Sequence, residues 1–306
     1  MKMHRILIGL IVTVTIVFGT ASCGGNSPID INKETEEAAK MVMEMVPYPA
    51  FGSIGGEWAV KGVVDSGLED EKVSQFKEAY IDDIKAQTKL KKGVLDNKFY
   101  TTYGRVAIAL AAAGEDSKGF QGYNLVEKLD DSEKIMEQGV IGCSYALIGA
   151  KVAGFKLKNE KTYVEYLVNE INEQKLYDIE AWVDMTSMAL EALSFYGDYE
   201  GVDKTIKKSI DGLSNFQKSD GSYGNCESTA EVIIALTMNE IDPQTDQRFV
   251  KSGNSLVDGL LCYKDKGKYL HLKNEPDKGN CQMSTEKALL ALVSLKKMSE
   301  GSAIYA

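Results

Sequence analysis

The chain has 306 residues, enough for one large domain or two ordinary ones with a filled core. Its 44% hydrophobic and 26% charged residues describe a globular protein and exclude a disordered or fibrous chain. A formal charge of −10 sets an acidic surface against phosphate backbones and argues against nucleic acid as a partner.

Residues 1–22 read as a targeting segment. Lys2 and Arg5 precede an apolar run from Ile6 to Phe18, and Thr20-Ala21-Ser22 sets small residues before Cys23. The run is too short for a membrane-spanning helix. Small residues directly before a cysteine resemble the bacterial lipobox, although Thr20 stands where that motif favours Leu. The resemblance implies lipidation at Cys23 and anchoring on the cell surface; the alternative is an ordinary signal peptide cut nearby. Residues 23–31, with Gly24-Gly25-Asn26-Ser27-Pro28, read as a flexible tether, and 32–306 as the folded domain. Removing residues 1–22 takes away Lys2 and Arg5 and no acid, so the charge moves from −10 to −12.

The periodicity predicts a helix over 32–46 with Ala38, Met41, Val42 and Met45 on one face, stopped by Pro47-Tyr48-Pro49. Gly55-Gly56-Glu57-Trp58 opens a second helix, rich in small apolar residues, that runs to Ser66. Residues 70–91 are charged and amphipathic, with Val73, Phe76, Tyr80, Ile81 and Ile84 as the buried stripe. An apolar helix follows from Tyr100 to Gly114. From there polar and apolar segments alternate. Residues 123–136 form a short, irregular polar helix, and 138–153 are apolar. Residues 159–175 are charged, 184–196 apolar, 202–217 charged and 228–238 apolar. Residues 247–263 are amphipathic and 284–295 apolar. No β-alternation is sustained.

Helices of alternating exposure imply two concentric layers. An inner helix touches neighbours on most sides and is apolar; an outer one shows a charged face to water. Inner helices near 57, 103, 140, 185, 229 and 285, each with an outer partner before it, predict an all-α (α/α)6 toroid of six inner and six outer helices. The competing all-α arrangement is an open solenoid of helix pairs.

Gln217-Lys218-Ser219-Asp220-Gly221-Ser222-Tyr223-Gly224 resembles the QxxDGxW turn repeated in terpene cyclases, with Tyr223 in place of Trp. Glu57-Trp58, the helix start at Tyr100–Arg105, Gly122-Tyr123-Asn124-Leu125, Gln138-Gly139, Asp184-Met185-Thr186, Glu227-Ser228-Thr229-Ala230 and Met283-Ser284-Thr285-Glu286 occur in order. The Arg248–Ser255 segment belongs to the same series. Together they resemble the prenyltransferase/squalene-cyclase-type α-α toroid domains of bacterial surface proteins. Relatives of those domains include the α-domain of transcobalamin and intrinsic factor. The resemblance spans roughly 55–297 and implies a toroid that binds a small molecule, cobalamin-like ligands among them, or a protein partner. The β-rich domain that closes over cobalamin in its carriers has no counterpart up to Ala306.

Catalysis and metal binding are weakly supported. In cyclases of this type an alkene is protonated by the middle Asp of a DxDD run. Aligned on Thr186, this chain keeps Asp184 alone, with Trp182 and Met185 at the supporting positions. If the chain is an enzyme, terpene-cyclase-like or carbohydrate-active, Asp184 is the catalytic candidate, and Glu57, Glu227 and Glu286 are the further carboxylates. His4 and His271 are the only histidines and no CxxC pair occurs, so no metal site or cofactor is expected. Cys226 and Cys281 both follow Gly-Asn, and equivalent turns in adjacent repeats would pair them as a disulfide or leave them as core thiols. Acids near helix starts also serve as caps, and Ser228-Thr229-Ala230-Glu231 fits a capping box. As a ring, Glu57, Arg105, Gln138, Asp184, Glu227 and Gln282 would surround one rim of a central funnel. Thr186 and Glu286 stand beside them, with Tyr123 and Trp182 as nearby aromatics.

Overall fold

The computed structural model describes residues 29–173, 178–273 and 281–306. The signal segment 1–22, the lipidation site Cys23 and most of the tether lie outside the described residues. The tether ends sooner than expected. Ile31 is already helical, because the Asp30 carboxylate accepts from the Lys33 amide at 3.1 Å and caps the helix.

The protein is all-α. In chain order the helices are α1 (Ile31–Met45), α2 (Trp58–Asp65), α3 (Glu71–Leu90), α4 (Thr101–Ala113), α5 (Ser132–Met136) and α6 (Gly139–Val152). They continue with α7 (Glu160–Glu173), α8 (Ile179–Leu193), α9 (Val202–Phe216), α10 (Cys226–Met238), α11 (Leu256–Leu261) and α12 (Cys281–Ser299). The strands among the described residues are two-residue pieces, β1 (Lys264–Asp265) and β2 (Lys268–Tyr269), paired antiparallel. No helix among the described residues is long and apolar enough to cross a membrane.

Exposure alternates as the sequence implies. Every residue of α10 except Glu227 is buried, whereas α9 buries only the stripe Val202, Thr205, Ser209, Ile210, Leu213 and Ser214. The more deeply buried helices pack in a cycle. Helix α2 touches α4, α4 touches α6, α6 touches α8, α8 touches α10, α10 touches α12, and α12 returns to α2. Outside the cycle α1 packs on α2 and α12, α3 on α2 and α4, α7 on α6 and α8, α9 on α8, and α11 on α10. Helices α4 and α6 come close because both carry glycine at the crossing. A Cβ on Gly149 would lie 2.7 Å from the Gly104 Cα.

Several boundaries differ from the sequence expectation, each for a local reason. Helix α8 begins at Ile179 rather than Asp184, because the Asp178 carboxylate caps it by accepting from the Ala181 amide at 3.1 Å. Helix α10 begins at Cys226, with Asn225 as its cap, accepting from the Ser228 amide at 2.7 Å. Ser228 is therefore inside the helix, and the capping box expected at 228–231 is not formed. The single amphipathic helix expected over 247–263 is split by Ser252 (φ 51°) and Gly253 (φ 85°). What remains is a 3-10 turn, Gln247–Phe249, and α11, whose Ser255 and Asp258 do form a capping box.

The Gln217–Gly224 turn is a hydrogen-bonded joint. The Gln217 side-chain amide donates to the carbonyls of Gly221 and Phe249, both at 2.9 Å. Tyr223 donates its hydroxyl to the Leu213 carbonyl at 2.7 Å, tying the turn to the end of α9. Its backbone N–H donates to Thr229 Oγ1 at 3.0 Å, tying it to the start of α10.

Candidate functional site

A cavity of about 350 Å³ opens at the N-terminal halves of the inner helices. Five of them supply its wall. The turn before α2 gives Ser53 and Ile54, and α2 itself gives Trp58. Helix α6 contributes Ile141 and Tyr145; α8 contributes Asp184, Met185 and Met188. Helix α10 adds Glu227 and Glu231, and α12 adds Met283, Glu286 and Lys287. These positions meet because each inner helix enters the cycle in the same direction, so their early turns face one end.

Three of the sequence candidates line this cavity: Asp184, Glu227 and Glu286. Gln282 sits beside them, its side-chain amide donating to Glu286 Oε1 at 3.1 Å. The remaining candidates do other work. Glu57 is fully buried and accepts from the Gly52 amide at 3.0 Å and the Tyr80 hydroxyl at 3.2 Å. Arg105 pairs with Glu57 at 3.6 Å, so the two form an internal ion pair rather than part of a rim. Gln138 accepts from the Thr101 amide at 3.1 Å and donates to the Lys134 carbonyl at 2.7 Å, clamping the start of α4 to the turn before α6. Trp182 faces outward onto α9, with Phe216 at 5.2 Å between ring centroids. Tyr123 packs on Gly93, and Thr186 is wholly buried. No disulfide joins Cys226 and Cys281; the Cys226 thiol lies 3.6 Å from the Ser284 carbonyl oxygen.

Sequence reasoning missed the cavity floor. Lys287 donates to both Glu231 oxygens at 2.9 and 3.1 Å, and its ammonium sits 5.2 Å from the centre of the Trp58 ring. Trp58 and Tyr145 are themselves 5.5 Å apart between centroids. Below them Glu191 accepts from the Tyr305 hydroxyl at 3.3 Å, and the Ile304 carbonyl accepts from Lys61 at 2.5 Å. The C-terminal residues thus pack against the far end of the inner helices. A signal for this floor was present: Glu191, Glu231 and Lys287 are charges set inside otherwise apolar inner helices.

Burial governs the protonation of the site. It raises Asp184 to about 6, with the Ser228 hydroxyl and Lys287 opposing the rise and Glu231 and Glu180 adding to it. It raises Glu286 to about 7, against the pull of Gln282, the Gly55 amide and Lys287. Glu191 is pushed well above the carboxylate range, by burial first and then by Glu231. Burial alone would lower Lys287, but the nearby Glu231, Tyr145 and Glu191 outweigh it and hold the ammonium charged. The floor is therefore the Glu231–Lys287 ion pair beside the buried Glu191 carboxyl.

A consequence for stability follows from Glu286. The unfolded chain releases this proton near 4.5, whereas the folded protein keeps it to about 7. The contribution is present below pH 4.5 and is lost as pH rises through 7. Denaturant titrations should show the Glu286→Gln variant losing less stability than the parent over this window, by on the order of 2 kcal/mol. Equal pH slopes in the two proteins would mean that Glu286 ionises normally.

Chemically the cavity offers carboxylates, two aromatic rings and three thioethers. Among the described residues no group of three or more His, Cys, Asp or Glu converges in a way that could hold a metal ion. No known protein family matches the chain, and no curated protein matches it.

Proposed function

We propose that this chain is a lipid-anchored bacterial surface protein. Its inner and outer helices would form an (α/α)6 toroid of the prenyltransferase/squalene-cyclase type, binding a small molecule without catalysis. The observation that carries the reading is the cavity of about 350 Å³, walled by five inner helices and holding four carboxylates and Lys287 in a mostly apolar lining. Concave, mostly apolar sites with a few placed polar groups are where ligands bind. This volume lies toward the small end of such sites, which favours a ligand smaller than a corrinoid. Native mass spectrometry of the protein released from its own envelope should show a co-purifying small-molecule adduct. A corrinoid would in addition give a visible absorption band. Protein that is free of adduct, and that no small molecule stabilises against heat, would sink the reading.

A second reading, an enzyme acting on a terpenoid or a polysaccharide, is favoured by one observation. Asp184, at about 6, and Glu286, at about 7, are carboxyls able to exchange protons near neutrality. Turnover of squalene or a polysaccharide that disappears in Asp184→Asn would establish it.

A further inference from the structure

Four carboxylates line the cavity, and they are unequally answered. Glu231 is held by Lys287, while Glu227 is 2.7 Å from His271 Nδ1 and accepts from the Ser284 hydroxyl at 2.6 Å. Glu286 is only 2% exposed. Its Oε1 accepts from the Gly55 amide at 2.9 Å and from Gln282, but its Oε2 has no hydrogen-bond partner among the described residues. Among the described residues Asp184 Oδ1 is likewise buried without a close hydrogen-bond partner, although the Ser228 hydroxyl acts on this carboxyl. Both residues line the cavity, which is walled further by Trp58, Tyr145, Met185, Met188 and Met283.

Building on the reading of this cavity as a ligand site, we propose that it takes a small organic cation, an ammonium group carried on an apolar body. The ammonium would meet the carboxylates of Glu286 and Asp184, and the body would lie against the rings and thioethers. A buried carboxylate oxygen lacking a partner is costly, and a charge-assisted N–H donor is the strongest group that can answer it. Aromatic faces complement the same charge. The site already holds one ammonium in this manner, since Lys287 lies over Trp58. That cation is committed to Glu231 and leaves Glu286 and Asp184 open. An anionic ligand would add to the unbalanced charge, and a neutral polyol would leave it in place.

Cation binding should also displace protons from the two carboxyls, so affinity rises with pH. The other charged or titratable groups set around them are Lys287, Glu57, Glu180, Glu227, Glu231 and His271.

The test uses three probes with one body and different charge: phenethylammonium, phenethyl alcohol and phenylacetate, with maltose as a neutral saccharide. Trp58 fluorescence is read in full-length protein carrying Trp182→Phe, which leaves Trp58 as the single indole. Phenethylammonium should quench it saturably and bind at least about tenfold tighter than phenethyl alcohol, with phenylacetate and maltose silent. Glu286→Gln, which keeps an oxygen for the Gly55 amide, should weaken the cation about tenfold while the melting curve stays cooperative. Equal binding of phenethyl alcohol or maltose, or a cation affinity indifferent to Glu286→Gln, overturns the cation assignment and leaves the cavity as a ligand site. Silence from every probe also overturns it, and the co-purifying adduct then decides the broader reading separately.

Discussion

Lys287→Met should destabilise the fold by about 3–5 kcal/mol, the largest single effect expected at this site. The substitution keeps most of the side-chain volume and removes only the charge. Glu231 would then be a buried carboxylate facing Glu191 with no cation between them, where the parent has hydrogen bonds at 2.9 and 3.1 Å. Tyr145 and the Trp58 face would lose the same partner. In a domain of this size the melting temperature should fall by on the order of 10 °C. Replacing the pair together, with Glu231→Leu added, should recover most of the loss, because well-packed apolar side chains often equal a buried ion pair in stability. A single variant as stable as the parent in denaturant titration would mean that the floor is hydrated and the pair is solvent-screened.

The second large effect belongs to the Gln217–Gly224 turn. Gly221→Ala should cost about 3 kcal/mol or more. Gly221 has φ 84°, a left-handed conformation that disfavours any Cβ, and an added Cβ would sit 2.2 Å from the Ser255 carbonyl oxygen. That atom is backbone and belongs to the cap of α11, so the collision can be relieved only by moving the helix. Gly253→Ala separates the two causes. Gly253 has φ 85° with nothing within 4 Å of the added atom, so it should lose only the conformational part, about 1 kcal/mol. If both variants melt together, packing of the turn against α11 contributes nothing.

Much of the architecture was legible in the sequence because burial differs so strongly between successive helices. The all-round apolar character of 226–238 and the narrow stripe of 202–216 reveal two layers without any tertiary information. That same apolarity hides the rotation of each inner helix about its axis. A helix buried on all sides has no stripe to show which residues face the centre, so Glu57, Arg105 and Trp182 were indistinguishable from Asp184 and Glu227. The structure sends the first two into a mutual ion pair and the third toward α9. Caps caused the remaining displacement. Asp178 starts α8 one and a half turns before Asp184, which moves Asp184 from the helix entrance to the cavity wall. A charge inside an apolar helix was the more informative signal, and Glu231 and Lys287 carried it.

The central claim is that the space between Trp58, Tyr145, Asp184 and Glu286 receives a small ligand. Met188→Trp tests it most directly by filling that space with a rigid ring while leaving the carboxylates in place. Native mass spectrometry of the two proteins, isolated side by side, should show the adduct on the parent and its loss from the variant, with both melting cooperatively. An adduct retained in full by the filled variant would place the ligand elsewhere and contradict the account.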